Sequence, residues 1–476
     1  MMPLMHRRKT KIVCTLGPAT NSAAGIAALI DAGMDVVRLN FSHGTRDDHR
    51  ATIRRIREVA RGLHREIGIL QDLGGPKIRL GILPDIGVRL ETGGSVELAV
   101  EGDAPAGTLA VSYPYLLEDV TPGEAILLAD GAAELEVIEV CHDRLLCRVV
   151  NGGLLTSRKG VNLPQANLRV PAVTDKDFAD LEVGLEEGVD FVALSFVRHE
   201  DDLTPVRAML ADLEHPPLLI AKIEKPQAVE RITPIIAAVD GIMVARGDLG
   251  VEMPPEKVPV IQKKIIEAAR RAGRPVITAT QMLRSMVDSP RPLRAEASDV
   301  ANAVFDGTDA LMLSEETAIG SYPNEAVGML VRVALEAEAY LDHTDWATDS
   351  DDPEGPDITG AISRAACKLA GEIGAAAIVT TTTSGSTARL IARHRPATPV
   401  LGVTTAAAVA RQLKLSWGVT STTIAETADI SALGKALVDE LTTHGMANRG
   451  DHVVLAAGLP LGFSDSANVL RIHQLE

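Results

Sequence analysis

The sequence predicts an α/β protein: a (β/α)8 TIM barrel with an inserted small all-β lid domain and a C-terminal open α/β domain. Three observations support this fold class. Eight short apolar runs alternate with helical stretches. About a hundred residues after the third run have strand periodicity instead. Strands and helices then resume beyond an acidic linker, so the 476 residues divide into three units.

The eight apolar runs are β-branched and bounded by turn residues, which is typical of parallel strands buried on both faces. They cover residues 11–16, 34–41, 67–73, 189–196, 218–224, 241–246, 275–280 and 309–314. Helical periodicity follows at residues 23–31, 46–64, 175–187, 258–271, 294–305 and 324–340. Repeated strand-then-helix order of this kind predicts a closed barrel.

The segment 74–173 is rich in Gly and Pro and carries short alternating strands, so we expect it to form the lid. Without it, residues 1–73 and 174–345 make about 245 residues, close to the roughly 250 of a typical barrel. These two ranges are the expected catalytic barrel.

The third unit covers residues 346–476 and begins within the acidic linker HTDWATDSDDPEGPD. Helices predicted at 359–373, 386–394, 406–415 and 430–443 alternate with strands at 376–381, 399–403 and 452–456. This alternation predicts an open, doubly wound regulatory domain.

Composition excludes several classes of protein. The 47 basic and 64 acidic residues give a net charge of -17, which disfavours nucleic acid as a partner. Four cysteines without paired spacing indicate neither a disulfide framework nor a zinc cluster. No signal peptide or long apolar stretch is found, so we expect no membrane partner and a cytoplasmic location.

Polar side chains collect where the predicted barrel strands end, which is where barrel enzymes place their functional groups. They are Arg38, Asn40, Ser42, His43, Asp72, Lys222, Glu224, Arg246, Asp248, Thr280, Ser314 and Glu316. Lys222 and Glu224 are two residues apart and therefore point the same way from one strand. Glu224 and Asp248 offer two carboxylates with open positions, which suits Mg²⁺.

Anion binding is expected at the same mouth. The Gly247–Asp248 turn, with Gly250 behind it, could present backbone amides to a carboxylate or phosphate. Arg38 and Arg79 add planar bidentate donors suited to phosphate. Since the chain as a whole is acidic, any anionic ligand must be captured locally by such groups.

Seven segments occur in the order of known motifs. They are TKIVCTLGPAT at 10–20, RLNFSHG at 38–44, GVNLP at 160–164, AKIEKPQAVERI at 221–232, IMVARGDLGVE at 242–252, TATQMLRSM at 278–286 and AEASDVANAVFDGTDALMLS at 295–314. On these motifs the chain resembles the pyruvate kinase family over nearly its whole length.

The resemblance implies phosphoryl transfer from phosphoenolpyruvate to ADP, giving pyruvate and ATP, with Lys222, Arg38, Thr280 and Arg79 as catalytic residues. Glu224 and Asp248 would ligate Mg²⁺, or Mn²⁺. Arg38 and Lys222 would bind the phosphate, and Gly247, Asp248 and Thr280 the carboxylate. The nucleotide would contact Asn40, Phe41, Ser42, His43, Arg79 and Lys159. Thr280, Ser314 and Glu316 remain alternative proton donors to the enolate.

The segment DLGGPKIR departs from the pattern of many family members, which carry an acidic residue and a Thr there. Those members bind potassium at the equivalents of Asn40, Ser42, Asp72 and the residue at position 73. Here Lys77 and Leu73 stand instead, and an ammonium at position 77 could replace the potassium charge. We therefore expect potassium-independent activity.

The resemblance also implies a homotetramer and a phosphorylated allosteric effector. The effector would bind Thr382, Thr383, Ser384, Gly385, Ser386 and Thr387, a hydroxyl-rich turn between a strand and a helix. Two residues depart from the family pattern: Asp465, on the surface that matches the effector site in the family, and Glu315, in the loop after strand eight. The sequence leaves the effects of both departures open.

Two alternatives remain at this stage. Another Mg²⁺-dependent phosphoenolpyruvate or pyruvate barrel enzyme, such as an aldolase or mutase, would share Glu224 and Asp248 but would not explain the lid, Arg79 or the third domain. A metabolite-sensing protein with an inactive barrel is opposed by the intact set of polar residues at the strand ends.

Overall fold

The central unit is a closed barrel of eight parallel strands. The structure, a computed structural model, describes residues 8–343, 346, 358–425, 430–458 and 467–475. The barrel strands are β1 (Lys11–Thr15), β2 (Val36–Asn40), β3 (Gly68–Asp72), β12 (Phe191–Leu194), β13 (Leu218–Ile223), β14 (Gly241–Ala245), β15 (Val276–Ala279) and β16 (Ala310–Leu313). Each strand pairs with its neighbours in chain order and β16 closes onto β1, which confirms the predicted barrel.

Helices cover the outside of this barrel. They are Ala23–Ala32, Arg46–Gly62, Asp175–Glu186, Thr204–Leu210, Pro226–Glu230, Ile232–Ala238, Arg246–Glu252, Val258–Arg271, Arg294–Phe305, Glu315–Ala318 and Pro323–Glu338. Capping boxes at Thr45 and Thr174 start two of them. The short helices between residues 204 and 238 were not predicted, because Pro205, Pro226 and Pro234 break the helical periodicity.

Apolar side chains fill both sides of the barrel wall. Val13, Phe191 and Ile220 belong to the interior cluster, while neighbouring residues of the same strands pack against the helices. Because successive residues of a strand face opposite ways, Lys222 shares the interior side with Ile220. The strand pattern therefore aims Lys222 into the upper end of the barrel.

The lid is an all-β unit with a hydrophobic cluster of its own. Its strands are β4 (Val88–Leu90), β5 (Ser95–Val100), β6 (Leu109–Val111), β7 (Ala125–Leu128), β8 (Ala133–Val140), β9 (Leu145–Asn151), β10 (Gly153–Leu155) and β11 (Val161–Asn162), with one short helix at Leu116–Asp119. Six strands form a sheet in the order β11-β7-β8-β9-β5-β6, and β4 pairs with β10.

The C-terminal unit is a five-stranded sheet in the order β19-β18-β17-β20-β21. Its strands are β17 (Ala377–Thr381), β18 (Val400–Thr404), β19 (Val419–Thr423), β20 (His452–Ala457) and β21 (Val469–Gln474), and its helices are Ile358–Ile373, Ser386–Ala392, Ala407–Gln412 and Ile430–Thr443. Only β21 runs antiparallel. This confirms the predicted open α/β sheet and adds β19 and β21, which were not predicted.

Most of the predicted linker, and Asp465, lie outside the described residues. Among the helices that are described, none is both long and apolar enough to span a lipid bilayer.

Candidate active site

A cavity of about 640 Å³ opens at the carboxyl ends of the barrel strands. Side chains from widely separated parts of the sequence line it, including Arg38, Asn40, Asp248, Thr280, Ser314 and Glu316. Asp130 reaches the same cavity from the lid. The closed barrel thus places many of the polar strand ends predicted from the sequence around one opening, although Ser42, Asp72, Lys222, Glu224 and Arg246 do not line it.

Lys222 is buried near the carboxyl end of β13. Its Nζ lies 3.0 Å from Glu224 Oε1 and 3.1 Å from Asp72 Oδ1, and it donates a hydrogen bond of 2.7 Å to Ser195 Oγ. Burial alone would lower the pKa of Lys222, but Asp72 and Glu224 outweigh burial and raise it above its usual value. The ammonium therefore stays charged.

Arg38 adds a second cation next to Lys222. Its Nε donates to Asp72 Oδ2 at 2.6 Å, and its Nη1 donates to Thr15 Oγ1 at 3.0 Å. Asp72 holds both cations, and their attraction lowers the pKa of its carboxyl despite the opposing effect of burial. The Asp72 carboxylate therefore holds the two cations Arg38 and Lys222 on its two oxygens.

Glu224 and Asp248 form the carboxylate pair predicted to hold a metal. Burial raises the pKa of Glu224, Lys222 opposes this shift, and repulsion from Asp248 adds to it. The Phe196 N–H donates to Glu224 Oε2 at 2.7 Å and orients the side chain. Within the described residues no group of three or more His, Cys, Asp or Glu side chains is arranged to hold a metal ion by itself. Glu224 and Asp248 would therefore supply two carboxylates and leave positions open, which is the arrangement that suits Mg²⁺.

Thr280 is held in an unusual backbone conformation, with φ at +68°. This region is unfavourable for a β-branched residue, so the surroundings must enforce it. The Arg246 Nη2 donates to the Thr280 carbonyl at 2.9 Å, and Asp299 anchors Arg246 at 2.7 Å. Gly247 and Asp248 do not form the predicted turn but lie in the first turn of the helix Arg246–Glu252, and the Gly247 N–H donates to Thr280 Oγ1 at 2.6 Å.

Ser314 and Glu316 lie after β16 on the far side of the cavity. Glu316 is buried, and its two oxygens accept hydrogen bonds from the backbone N–H groups of Leu283 and Ser314 at 3.1 and 2.8 Å. Glu315 points elsewhere and pairs with Arg284 at 2.7 Å on the cavity rim. Glu315 therefore forms a rim ion pair with Arg284.

The predicted nucleotide residues lie in two groups. Arg79 and Lys159 are on the lid, where the Arg79 Nη1 donates to the Arg158 carbonyl at 3.0 Å. His43 lines the cavity, and its pKa is lowered by burial and by the charges of Lys77, Arg79 and Arg38. Phe41 is buried and stacks on His49 with ring centroids 3.8 Å apart, so its side chain supports the loop instead of entering the cavity.

The region predicted to replace a potassium ion contains few uncommitted oxygen atoms. Asn40 Oδ1 accepts from the Ser42 N–H at 3.1 Å, and the Leu73 carbonyl accepts from Ser195 Oγ at 2.7 Å. Lys77 is part-exposed, but desolvation of its ammonium and the charges of Lys222 and Arg79 lower its pKa, with Asp248 and Asp72 opposing. The ammonium of Lys77 therefore interacts electrostatically with the charged groups at the barrel mouth.

The predicted effector segment, residues 382–387, lies between β17 and the helix Ser386–Ala392. Gly385 has φ +81°, and its N–H donates to Thr382 Oγ1 at 2.9 Å, which closes the turn. Thr387 is buried, whereas Thr383, Ser384 and Ser386 are partly accessible. β17 is also where the strand order reverses, the position at which open α/β sheets bind ligands.

Sequence reasoning missed two features of the site. Ser195 follows β12 and would have been found by applying the strand-end rule to that strand as well. The second is a contact between lid and barrel: Asn162 Nδ2 donates to Glu252 Oε1 at 2.7 Å, and Lys225 Nζ lies 2.6 Å from the same oxygen. No spacing rule pairs these three residues.

A mouth that gathers cations around two carboxylates defines the class of protein, a barrel enzyme for phosphoryl transfer. Residues 7–327 match the family model "Pyruvate kinase, barrel domain", and residues 360–473 match "Pyruvate kinase, alpha/beta domain". The chain belongs to the pyruvate kinase family. It is a phosphotransferase that converts phosphoenolpyruvate and ADP to pyruvate and ATP.

Relatives support this assignment over nearly the full length. The chain is 44% identical to a pyruvate kinase of Sporosarcina psychrophila over 472 residues, covering 98% of this chain and 80% of the relative. It is 46% identical to pyruvate kinase 2 of Synechocystis over 472 residues, covering 98% and 79%. A pyruvate kinase structure from Cryptosporidium parvum superimposes with a TM-score of 0.93 at 36% identity, covering 98% of this chain and 96% of that one. The aldolase or mutase alternative is therefore wrong.

Proposed function

We propose that this enzyme uses Mg²⁺ and works without potassium, with its chemistry at the Lys222 cluster. The observation that carries the proposal is the Lys222 ammonium, held charged between Asp72 and Glu224 at 3.1 and 3.0 Å and next to Arg38. Phosphoryl transfer depends on positioning and on cations that meet the moving charge more than on covalent help. A rigid pair of cations meets that need.

The substrate groups would be divided among the cavity walls. Arg38 and Lys222 bind the phosphate of phosphoenolpyruvate. Gly247 and Asp248, at the start of the helix Arg246–Glu252, bind its carboxylate together with Thr280. Arg79, Lys159 and the loop of Asn40, Ser42 and His43 position ADP. During transfer the bond from phosphorus to the enol oxygen breaks and a bond to the terminal phosphate oxygen of ADP forms. Lys222 stabilises the charge left on the enolate oxygen.

Glu224 and Asp248 fit a divalent cation because both provide hard carboxylate oxygens and their mutual repulsion is relieved by positive charge. When bound, Mg²⁺ would neutralise phosphoryl charge; Mn²⁺ prefers similar ligands. Phe196 and Lys222 keep the Glu224 side chain in position for this role.

The enolate then takes a proton at carbon to give pyruvate. Thr280, Ser314 and Glu316 all line the cavity and remain the three candidate donors. The lid, linked to the barrel through Asn162 and Glu252, would exclude water during transfer and so suppress hydrolysis.

A coupled assay tests the proposal. Pyruvate should form from phosphoenolpyruvate only with both ADP and Mg²⁺, and Lys222→Met should lower kcat at least about 10²- to 10³-fold, the usual cost of losing one stabilising donor. The exposed Lys257→Met is the matched control and should behave as wild type. Because Met leaves buried Glu224 without its cation and Asp72 with Arg38 alone, thermal unfolding must show that the variant is folded. No ADP-dependent pyruvate from the wild type would end the proposal.

Potassium independence is tested separately with Lys77→Glu. Wild-type activity should be the same with potassium as with tetramethylammonium at equal ionic strength. The variant should lose activity in tetramethylammonium and recover it as potassium is added. Lys368→Glu, which reverses a charge on the C-terminal domain, should remain insensitive. Cation-insensitive activity in Lys77→Glu, or a potassium requirement in the wild type, would contradict the role of Lys77.

The domain division into 1–73 with 174–345, 74–173 and 346–476 is part of the proposal. So are a cytoplasmic location, a homotetramer, and binding of a phosphorylated effector by the turn 382–387. The position of this turn beside the strand-order reversal supports effector binding there.

A further inference from the structure

A small cavity lies between the amino-terminal end of the barrel and the C-terminal domain, opposite the substrate mouth. Pro275 and Asp309, which precede β15 and β16, line it from the barrel. Arg389, Arg395 and Ser416 line it from the C-terminal domain. Its volume is about 10 Å³, enough for a guest about the size of one water molecule.

Among the described residues, Asp309 supplies the only carboxylate that lines this cavity, and this carboxylate is already saturated. It accepts two hydrogen bonds of 2.9 Å from Arg395, one of 3.1 Å from the Trp417 N–H and one of 3.0 Å from the Val276 N–H. A carboxylate has about four acceptor positions, so Asp309 cannot serve a further donor.

Three buried donors in the cavity lack an acceptor. They are Arg395 Nε, Arg389 Nη1 and Ser416 Oγ. Arg395 and Ser416 are each only 1% exposed. Leaving a buried donor unsatisfied is costly, and more so for a charged group. Three such donors on one cavity indicate that an acceptor binds there.

The surroundings favour an acceptor with negative charge. Arg270, Arg274 and Arg393 line the same cavity in addition to Arg389 and Arg395. Burial lowers the pKa of Arg389 to about 10, Asp240 opposes this shift and Arg274 adds to it. Among the described residues Arg389 makes no ion pair, because Asp309 is occupied by Arg395, and a bound anion would compensate the buried charge of Arg389.

Size then limits the anion. Phosphate, sulfate and phosphorylated metabolites are too large for a space that holds one water-sized guest. We propose that this cavity binds a single-atom monovalent anion such as chloride, which accepts hydrogen bonds from Arg389, Arg395 and Ser416 at the junction of the barrel and the C-terminal domain. The site is separate from the substrate mouth and from the turn 382–387.

Bromide is the direct probe because its anomalous scattering distinguishes it from water. Crystals of the full-length enzyme in sodium bromide should show an anomalous peak among Arg389, Arg395 and Ser416. In solution, the midpoint of thermal unfolding should rise saturably with sodium chloride or bromide but not with sodium gluconate at the same ionic strength, since gluconate cannot enter.

Two variants test the assignment of donors. Ser416→Ala and Arg389→Gln should each weaken halide binding by about tenfold or more, the value of one hydrogen bond to a charged group. The control is Arg332→Gln, which changes an exposed arginine on the helix Pro323–Glu338 and should bind halide as wild type does. No bromide peak together with equal melting in chloride and gluconate would mean that water fills the cavity, and the proposal would be wrong. Unchanged halide affinity in both variants would also overturn it.

Discussion

Arg246 holds Thr280 in a strained conformation, and replacing it should disable the candidate site without unfolding the protein. The guanidinium donates to the carbonyls of Thr280 at 2.9 Å and Ala279 at 3.3 Å, and Asp299 fixes it from the other side. Arg246→Met removes all three interactions. Two hydrogen bonds of the Thr280 hydroxyl then remain: it accepts from the Gly247 N–H at 2.6 Å and donates to the Ala279 carbonyl at 2.7 Å.

The energies indicate which way Thr280 will move. A non-glycine residue in the left-handed region costs about 1–3 kcal/mol. Hydrogen bonds from a charged donor contribute about 1.5–3 kcal/mol each, and each remaining neutral bond about 0.5–1.5 kcal/mol. With Arg246 the constraint exceeds the strain, and without it the two are comparable, so Thr280 should leave its position part of the time. A displacement of about 1 Å costs about 10²-fold in rate, or about 2.7 kcal/mol.

We therefore expect kcat/KM of Arg246→Met to fall about 100-fold. Arg246→Lys keeps the charge but not the fork of donors and should show an intermediate loss. Arg294→Met, in the same helix as Asp299 but exposed, is the control and should keep its activity. Steady-state kinetics and thermal unfolding would be measured together. A folded Arg246→Met enzyme with kcat/KM within about threefold of wild type would refute this reasoning.

Two further predictions concern stability and the lid. Burial would raise the pKa of Asp35, but Arg8, 2.8 Å away, and Lys11 hold this pKa below its usual value. The ionised Asp35 therefore contributes to the free energy of unfolding above about pH 4, and this contribution is lost as pH falls through the lower pKa of the folded state. Asp35→Asn should thus lower the melting temperature at pH 7, and this deficit should shrink as pH falls below about 4. A deficit that does not change with pH would contradict the ion pair. Asn162→Ala removes a 2.7 Å hydrogen bond to buried Glu252, whose Oε2 already lacks a partner. Hydrogen exchange in the lid should therefore rise. The control Asn151→Ala, at an exposed residue, should leave hydrogen exchange around Asn162 unchanged.

Much of the barrel could be predicted because its elements obey local rules. The helices Val258–Arg271 and Arg294–Phe305 have the predicted bounds, and all eight strands lie within the predicted runs. The two strands that were not predicted, β19 and β21, lack such an apolar run. β19 reads VTSTT and is only partly buried, while β21 has no buried residue. β19 becomes a strand by pairing with β18, and β21 by pairing with β20. Local sequence does not predict such pairing between distant segments.

The candidate site was predicted through strand ends and motifs, but its electrostatics were not. Lys222 was paired with Glu224 from their spacing, whereas Asp72, 150 positions earlier, became its neighbour only when the barrel closed. The same closure places the Arg246 guanidinium on the carbonyl of Thr280.

The sequence by itself determined the order of strands and helices, the class of enzyme and the residue types at the mouth, because these follow from periodicity and from motifs within short segments. The tertiary structure decided which charges neutralise one another. Asp72 is shared by Arg38 and Lys222, and Asp309 is saturated by Arg395 and backbone donors while nearby arginines retain unpaired groups. Coulombic and hydrogen-bond energies depend on distance and burial, and only folding brings such remote residues together.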